Sequence, residues 1–264
     1  MLPQTNVIDC GDARYLLFNT NDHISTQLYR AGSWEGHLIK ISSFIVDGID
    51  APLIVDIGAN LGAYSIPLAK SLNSLGGVIY GFEPQKIVYY QLCGNIILNR
   101  LDNYEAFNMA VGDQNGMIKI PSQDYGSHNN IGAFSMVKEY RQWNGVDEFS
   151  DTNNLIDAQV ITLDSFKFPK APSLVKIDVE GYELNVLKGA CQFLEECSFP
   201  PLLFEAWNFA LFDAERNKLL DFVSRLGYDI TLKYNIDYVA QHPSHSIRVD
   251  FPSQDGIINM VRVR

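Results

Sequence analysis

LIVDIGANLGAYSIPLAKSL, residues 53–72, reads as three joined pieces. Leu53, Ile54 and Val55 form a short apolar run of branched, strand-like composition. Asp56 follows, and glycines at positions 58 and 62 mark a turn. Tyr64, Ile66, Leu68, Ala69 and Leu72 then recur with helical spacing. A buried strand, a glycine turn and a helix start make a nucleotide site. The glycines admit a ligand close to the backbone, and the first helical turn offers free N–H groups. Downstream, residues 77–82 (GVIYGF) read as a second strand that ends at Glu83, 21 positions after Gly62. An acid at that spacing binds the ribose hydroxyls of an adenine nucleotide.

The turn also discriminates between adenosine ligands. The dinucleotide pattern G-x-G-x-x-G needs glycines at 58, 60 and 63, but the chain has Gly58, Asn60 and Ala63. Asn60 stands where a glycine lets a pyrophosphate close in, which disfavours NAD. D-x-G-x-x-x-G fits S-adenosylmethionine (SAM) better. That ligand has no phosphate, and Asp56 favours the ammonium of its methionine end, directly or through water.

The chain has 264 residues, 47% of them apolar, and no low-complexity tract, enough for one large α/β domain with a full core. Its formal charge of −11 repels a phosphate backbone on average and disfavours nucleic acid as substrate. Cys10, Cys93, Cys191 and Cys197 show neither a C-x-x-C pair nor zinc-ligand spacing, so free thiols in a reducing compartment are expected. The N-terminus lacks the order of a signal peptide, and no apolar run is long enough to span a membrane. A cytoplasmic enzyme is the resulting expectation.

Either side of the glycine turn, the pattern continues as strands and helices. Residues 15–19 suit a strand and residues 34–46 a helix. Trp34, Glu35 and His37 at that helix start serve capping and packing, or else the segment covers the methyl-donor pocket or contacts the substrate. Residues 85–101 suit a helix, with Ile87, Tyr90, Leu92, Ile96, Ile97 and Leu101 as its apolar positions. Residues 104–108 suit a third strand, whose end at Asn108, Met109 and Ala110 lies where adenine is held. DQNG (113–116) is a turn signal, and MIKI after it reads as the return strand of a hairpin. Residues 121–155 form an irregular stretch that reads as a lid or substrate loop, in which His128 is either a surface histidine satisfied by Asn129 or Asn130 or a candidate base.

Residues 160–166 read as a strand entering a short helix, and LVKI (174–177) as a core strand ending in Asp178-Val179-Glu180-Gly181, followed by a helix over 182–194. Carboxylates at the C-terminal end of a parallel strand sit on the ligand edge of an open sheet. Helix capping by Asp178 or Glu180 is the structural alternative. LLF (202–204) is a further buried strand, ending at Glu205 with Asn208 beyond. A helix over 211–226 and a hairpin over 228–240 follow, and residues 257–263 read as a last strand or tail.

DIGANLGAYS, GFEP, NMAVGDQNG, ITLDSF, VKIDVEGYELNVLKGA and LLFE occur in this order, and together they resemble the FkbM family of SAM-dependent methyltransferases. The resemblance covers roughly residues 34–240. It implies a single class I, Rossmann-like methyltransferase domain over 1–264: a seven-stranded, mostly parallel sheet with its last strand antiparallel and helices on both faces. Residues 1–50 would be a cover segment and 121–155 the substrate loop. It also implies O-methylation of a hydroxyl on a sugar or natural product, so a small-molecule or carbohydrate acceptor. Carried over by position, Asp56, Gly58, Ala59, Asn60, Gly62 and Tyr64 line the methionine end of the donor. Glu83 holds the ribose, Pro84 flanks the adenine, and Asn108, Met109 and Ala110 complete the adenine pocket. Asp178 and Glu180 face the transferring methyl.

An alcohol is a poor nucleophile while protonated, so a base or a metal is needed. In the first route Asp178, Glu180 or His128 takes the proton. In the second, Asp178, Glu205 and Asn208 bind a hard divalent cation, as resembles some class I O-methyltransferases. The metal-free route is preferred. An NAD-linked oxidoreductase and a non-catalytic SAM-binding partner protein are the alternatives from other classes.

Overall fold

A computed structural model describes residues 4–19, 22–121, 135, 155–254 and 257–263. Strands β1 (Thr5–Asp9) and β2 (Arg14–Phe18) form a hairpin, and helices α1 (His23–Ala31) and α2 (Gly36–Val46) come next. The glycine-turn unit is β3 (Leu53–Ile57), α3 (Ser65–Leu72) and β4 (Val78–Phe82). Helix α4 (Lys86–Leu98) leads to β5 (Tyr104–Phe107), β6 (Ala110–Val111) and β7 (Gly116–Pro121). Then come β8 (Leu155–Ile161), β9 (Leu174–Ile177), α5 (Glu183–Lys188), α6 (Cys191–Glu196) and β10 (Leu202–Glu205). Helix α7 (Asp213–Arg225) precedes the closing pair β11 (Asp229–Tyr234) and β12 (Asp237–Gln241).

The central sheet has seven strands in the order β11-β12-β10-β9-β3-β4-β5. From β10 to β5 every neighbouring pair is parallel, while β12 runs antiparallel to both of its neighbours. This is the class I methyltransferase sheet that the resemblance implies. Side-chain alternation along a strand divides the core into two layers. Leu53, Val55 and Ile57 of β3 face the layer that holds Val186, Phe193 and Val223 of α5, α6 and α7. Ile54 faces the other, with Ile41, Ile66 and Leu92 of α2, α3 and α4. The strand order reverses between β3 and β9, which opens a crevice at their C-terminal ends.

Three elements differ from the pattern read in the sequence, each for a local reason. Helix α4 is rotated from its apolar positions: Tyr90 and Ile97 are exposed while Gln91 and Asn95 are buried. Those two amides are needed inside. Asn95 accepts from the Leu16 N–H and donates to the Leu61 carbonyl, and Gln91 donates to the Leu16 carbonyl. They satisfy the edge of β2 and pin it beside the glycine turn.

MIKI is a strand, but no hairpin forms across DQNG. β6 and β7 lie on opposite edges of β8, one parallel and one antiparallel to it. Asn115 fastens the intervening turn by accepting from the Thr162 N–H and the Ser165 hydroxyl. Finally, the helix expected over 182–194 breaks into α5 and α6 at Gly189. A Cβ there would lie 2.0 Å from the Gly112 carbonyl oxygen, so the chain after β6 crosses directly over the break.

Among the described glycines, the one with least room for a side chain lies in the crevice. Gly58 has φ of +87°, and a Cβ on it would lie 1.8 Å from the Asp178 carbonyl oxygen. Gly36 has ordinary φ and open space around it. Gly58→Ala should therefore lower stability by more than about 2 kcal/mol in urea unfolding, and Gly36→Ala should stay within about 0.5 kcal/mol. Equal midpoints for the two variants would contradict the placement of β3 against β9.

Candidate active site

A cavity of about 940 Å³ opens at the crevice, a volume suited to a cofactor and a small acceptor together. One wall is the glycine turn. The Gly58 and Ala59 N–H groups both donate to the Phe82 carbonyl, so the ends of β3 and β4 are tied together. Asn60 takes a left-handed conformation at φ of 51°. That conformation turns its N–H onto Glu83 Oε2 at 3.0 Å, while Glu83 Oε1 accepts from the Gln85 N–H at 2.8 Å. The acid at the end of β4 is thereby fixed in place before any ligand arrives. Gly58, Ala59, Asn60, Tyr64, Glu83, Pro84, Met109 and Ala110 all line the cavity.

Three of the expected binding residues stand elsewhere. Gly62 packs inward, where a Cβ would meet Ile66 and Leu92 at 2.6–2.8 Å, and so shapes the turn from behind. The Asn108 amide is spent on the Glu83 and Pro84 carbonyls at 2.9 and 3.0 Å. It ties the end of β5 to the end of β4 and does not line the cavity. Asp56 is fully buried behind the turn, opposite Lys176 in the β3–β9 register.

Lys176 is the polar residue in the otherwise apolar LVKI strand, and it organises the second wall. Its ammonium is 2.7 Å from Asp178 Oδ2, 3.8 Å from Asp56 Oδ1 and 4.9 Å from the centre of the Tyr64 ring. Burial pulls the Lys176 ammonium down, but Asp178, Asp56 and Glu35 outweigh it and hold its pKa well above the usual lysine value. Beside Asp178 lie Glu205, at the end of β10, and Asp237, its cross-strand partner at the start of β12. Glu35, just before α2, and His37, inside it, close over this row. The His37 Nε2 is 3.1 Å from Asp237 Oδ2, and its ring packs 4.9 Å from that of Tyr234.

The Glu180 backbone is left-handed, φ 54°, and its carbonyl accepts from the Ser135 hydroxyl. Burial raises the Glu180 carboxyl well above its ordinary value, with Asp178 and Glu183 adding to the shift. Neither Asp178 nor Glu180 caps α5, whose N-cap Tyr182 makes no side-chain capping bond, and Glu183 at its first position fastens the preceding loop instead. Its Oε1 accepts from the Val179 and Gly181 N–H groups, both at 3.1 Å. Asn208, considered as a metal ligand, is exposed beside Arg216 and does not line the cavity. His128 lies outside the described residues. The strands flanking 122–154 do reach the site: Ile118, Ile120 and Val160 of β7 and β8 line it.

Sequence reading brought Asp178, Glu180 and Glu205 to one place. It passed over Lys176 and Asp237 and left Glu35 and His37 undecided. A lone lysine inside a buried apolar strand was the available signal for Lys176. Asp237 sits at the start of a hairpin strand, where an acid is unremarkable until the cross-strand register is known.

Burial pushes the Glu83 carboxyl up from 4.5 to about 7, against the opposing N–H bonds of Gln85 and Asn60. Glu183 is pushed likewise from 4.5 to about 7 by burial, opposed by backbone N–H groups that include those of Gly181 and Val179. Values raised in the fold mean that the folded chain holds protons that the unfolded chain releases. Their contribution is complete below 4.5 and is lost as pH rises through 7. The ligand-free protein should therefore melt at higher temperature at pH 5.5 than at pH 7.5, in scanning calorimetry at matched ionic strength. Glu183→Gln should flatten the difference, and a Tm that rises with pH would contradict the assignment.

A family model described as "Methyltransferase FkbM domain" matches residues 56–230. The hexuronic acid methyltransferase AglP of Haloferax volcanii is 24% identical over 177 residues, which cover 66% of this chain and 64% of that protein. The chain thus spans less than two thirds of that relative's length. Among solved structures, the methyltransferase FkbM from Methylobacillus flagellatus is 21% identical, with a TM-score of 0.46 over 72% of this chain and 43% of that one. A SAM-dependent O-methyltransferase from Thermotoga maritima is 9% identical, with a TM-score of 0.43 over 94% of this chain and 68% of that one. No helix among the described residues is long and apolar enough to cross a membrane.

Proposed function

The chain belongs to the FkbM methyltransferase family, and from that premise we propose that it is an O-methyltransferase that moves the methyl group of SAM onto a sugar hydroxyl. The observation that carries this reading is one cavity with two unlike walls. A glycine turn with a pre-set acid, Glu83, stands on one side, and a row of carboxylates around Asp178 stands on the other. The hexuronic acid methyltransferase among its relatives supports a carbohydrate acceptor.

In this reading Glu83 takes the ribose hydroxyls with the lone pairs that Asn60 and Gln85 leave free. Pro84, Met109 and Ala110 bound the adenine, with the Met109 thioether adapting to its face. The methionine end lies along Gly58, Ala59 and Tyr64, with its sulfonium towards Asp178 and Glu180. Asp56 acts on that end only through Lys176 and the turn, since it stands behind the wall.

Transfer is a direct displacement. The acceptor oxygen bonds to the methyl carbon while the carbon–sulfur bond breaks, and the pair of electrons stays on sulfur. The three atoms must lie in line, which is a positioning task. The hydroxyl proton leaves to an ionised carboxylate of the Asp178 row as the new bond forms. The segment that carries Trp34, Glu35 and His37, together with β7 and β8, bounds the acceptor side, so those parts choose the sugar.

SAM should bind the wild-type chain with micromolar affinity in calorimetric titration. Asp178→Asn should keep that affinity within about threefold while transfer to a panel of methyl glycosides and glycuronides, read as S-adenosylhomocysteine release, falls by about 100-fold or more. Full turnover in the variant would remove Asp178 from the chemistry. Failure of the wild-type chain to bind SAM would remove the donor site, and binding with no transfer to any sugar would favour a non-catalytic role.

A further inference from the structure

Three carboxylates meet on the acceptor side of the cavity, each from a different element. Glu35 precedes α2, Asp178 follows β9 and Glu205 ends β10, and each places an oxygen so that all three lie within 4.8 Å of one another. Like charges this close, at the edge of a low-dielectric interior, repel strongly. Lys176 compensates only in part, because its ammonium is already shared between Asp178 Oδ2 and Asp56.

A second observation is independent of the clustering. Glu35 Oε2 is buried and has no hydrogen-bond partner among the described residues. A buried acceptor left without a donor costs about 1–3 kcal/mol, and more when charged. A bound ion is one of the ways such an atom is satisfied. The surrounding wall asks for the same thing. Glu180 and Asp237 add to the acids, and Lys176 and His37 are the basic groups placed against them. An anionic sugar such as a hexuronic acid would be repelled from this wall unless a cation stood between them.

We propose that Glu35, Asp178 and Glu205 bind a hard divalent cation of the Mg²⁺ or Mn²⁺ class, which presents its open positions to the oxygens of the acceptor. All three protein ligands are carboxylate oxygens, the donor set such ions select. The third ligand is Glu35, from the segment ahead of the core, and not Asn208, which stands beside Arg216 outside the cavity. Bound there, the cation would lower the pKa of a coordinated hydroxyl and bridge an acceptor carboxylate to the acidic wall. The acceptor part of this inference rests on the sugar reading above; the binding of the ion does not.

The test uses the full chain, stripped with EDTA, dialysed and titrated with Mn²⁺ while the free ion is followed by electron paramagnetic resonance. One site tighter than about 0.1 mM is expected. Glu35→Gln and Glu205→Gln should each weaken it at least tenfold while both variants still bind SAM, which certifies their folding. A wild-type chain with no site below millimolar Mn²⁺ would overturn the proposal, as would variants that bind Mn²⁺ like the wild type. Calorimetry with SAM on the same samples separates the two readings. Mn²⁺ bound without SAM would sink the donor site alone, and SAM bound without Mn²⁺ would sink the cation site alone.

Discussion

The Lys176 ammonium lies sealed between two strands, with Asp56 across the register on β3 and Asp178 just past the end of its own strand. Moving an unpaired ammonium into such a place would cost several kcal/mol, and two carboxylates and the face of Tyr64 offset that cost. The arrangement fixes more than charge. It holds Asp178 at the edge of the crevice, where its backbone carbonyl meets Gly58, and so sets the distance between the glycine turn and the acidic wall. Removal of the lysine would leave Asp56 buried and unpaired, a change of about 3–5 kcal/mol in comparable ion pairs. The two walls of the cavity would lose their spacing together.

The segment ahead of the core completes the cavity through charge as well as packing. Helix α2 buries Leu38, Ile41 and Ile45 against one face of the sheet, which fixes its axis. Its N-terminal end is aimed by His37 on Asp237, residues 200 positions apart in the chain. Glu35 is carried with it to the Asp178 row. The β1–β2 hairpin is secured in a comparable way, by the Gln91 and Asn95 amides of α4. The elements outside the sheet are thus tied by a few polar contacts: the buried Gln91 and Asn95 amides are satisfied by the main chain, and the more exposed His37 is held on Asp237.

This explains what the sequence could and could not disclose. Apart from Asp56, Lys176 and Glu205, the strands around residues 53–57, 78–82, 174–177 and 202–205 are apolar on both faces, and that composition marks them as buried and parallel. The glycines at 58 and 62 are demanded by backbone geometry, and Glu83 follows at a spacing set by one crossover. All of these are local signals. Helix α4 was misjudged in its orientation because buried amides look like surface residues until their backbone partners on β2 are known. The hairpin expected at DQNG failed because β8, some forty positions downstream, separates the two strands. Glu35, His37 and Asp237 gain meaning only from contacts that span most of the chain.

Under the proposed function, the acidity of the second wall is a liability for an anionic acceptor and an asset for the donor. SAM arrives with a positive sulfonium, and each ionised carboxylate within a few ångströms favours it through a partly buried, low-dielectric path. Transfer removes that charge from sulfur, so the product no longer enjoys the attraction that held the donor. The same row then favours whatever positive charge remains, a proton or a bound cation. One set of side chains can in this way draw in the donor, take up the charge that the reaction releases and let the spent donor go. The arrangement needs the row to be acidic in excess of Lys176, which is the composition that Glu35, Asp178, Glu180, Glu205 and Asp237 provide.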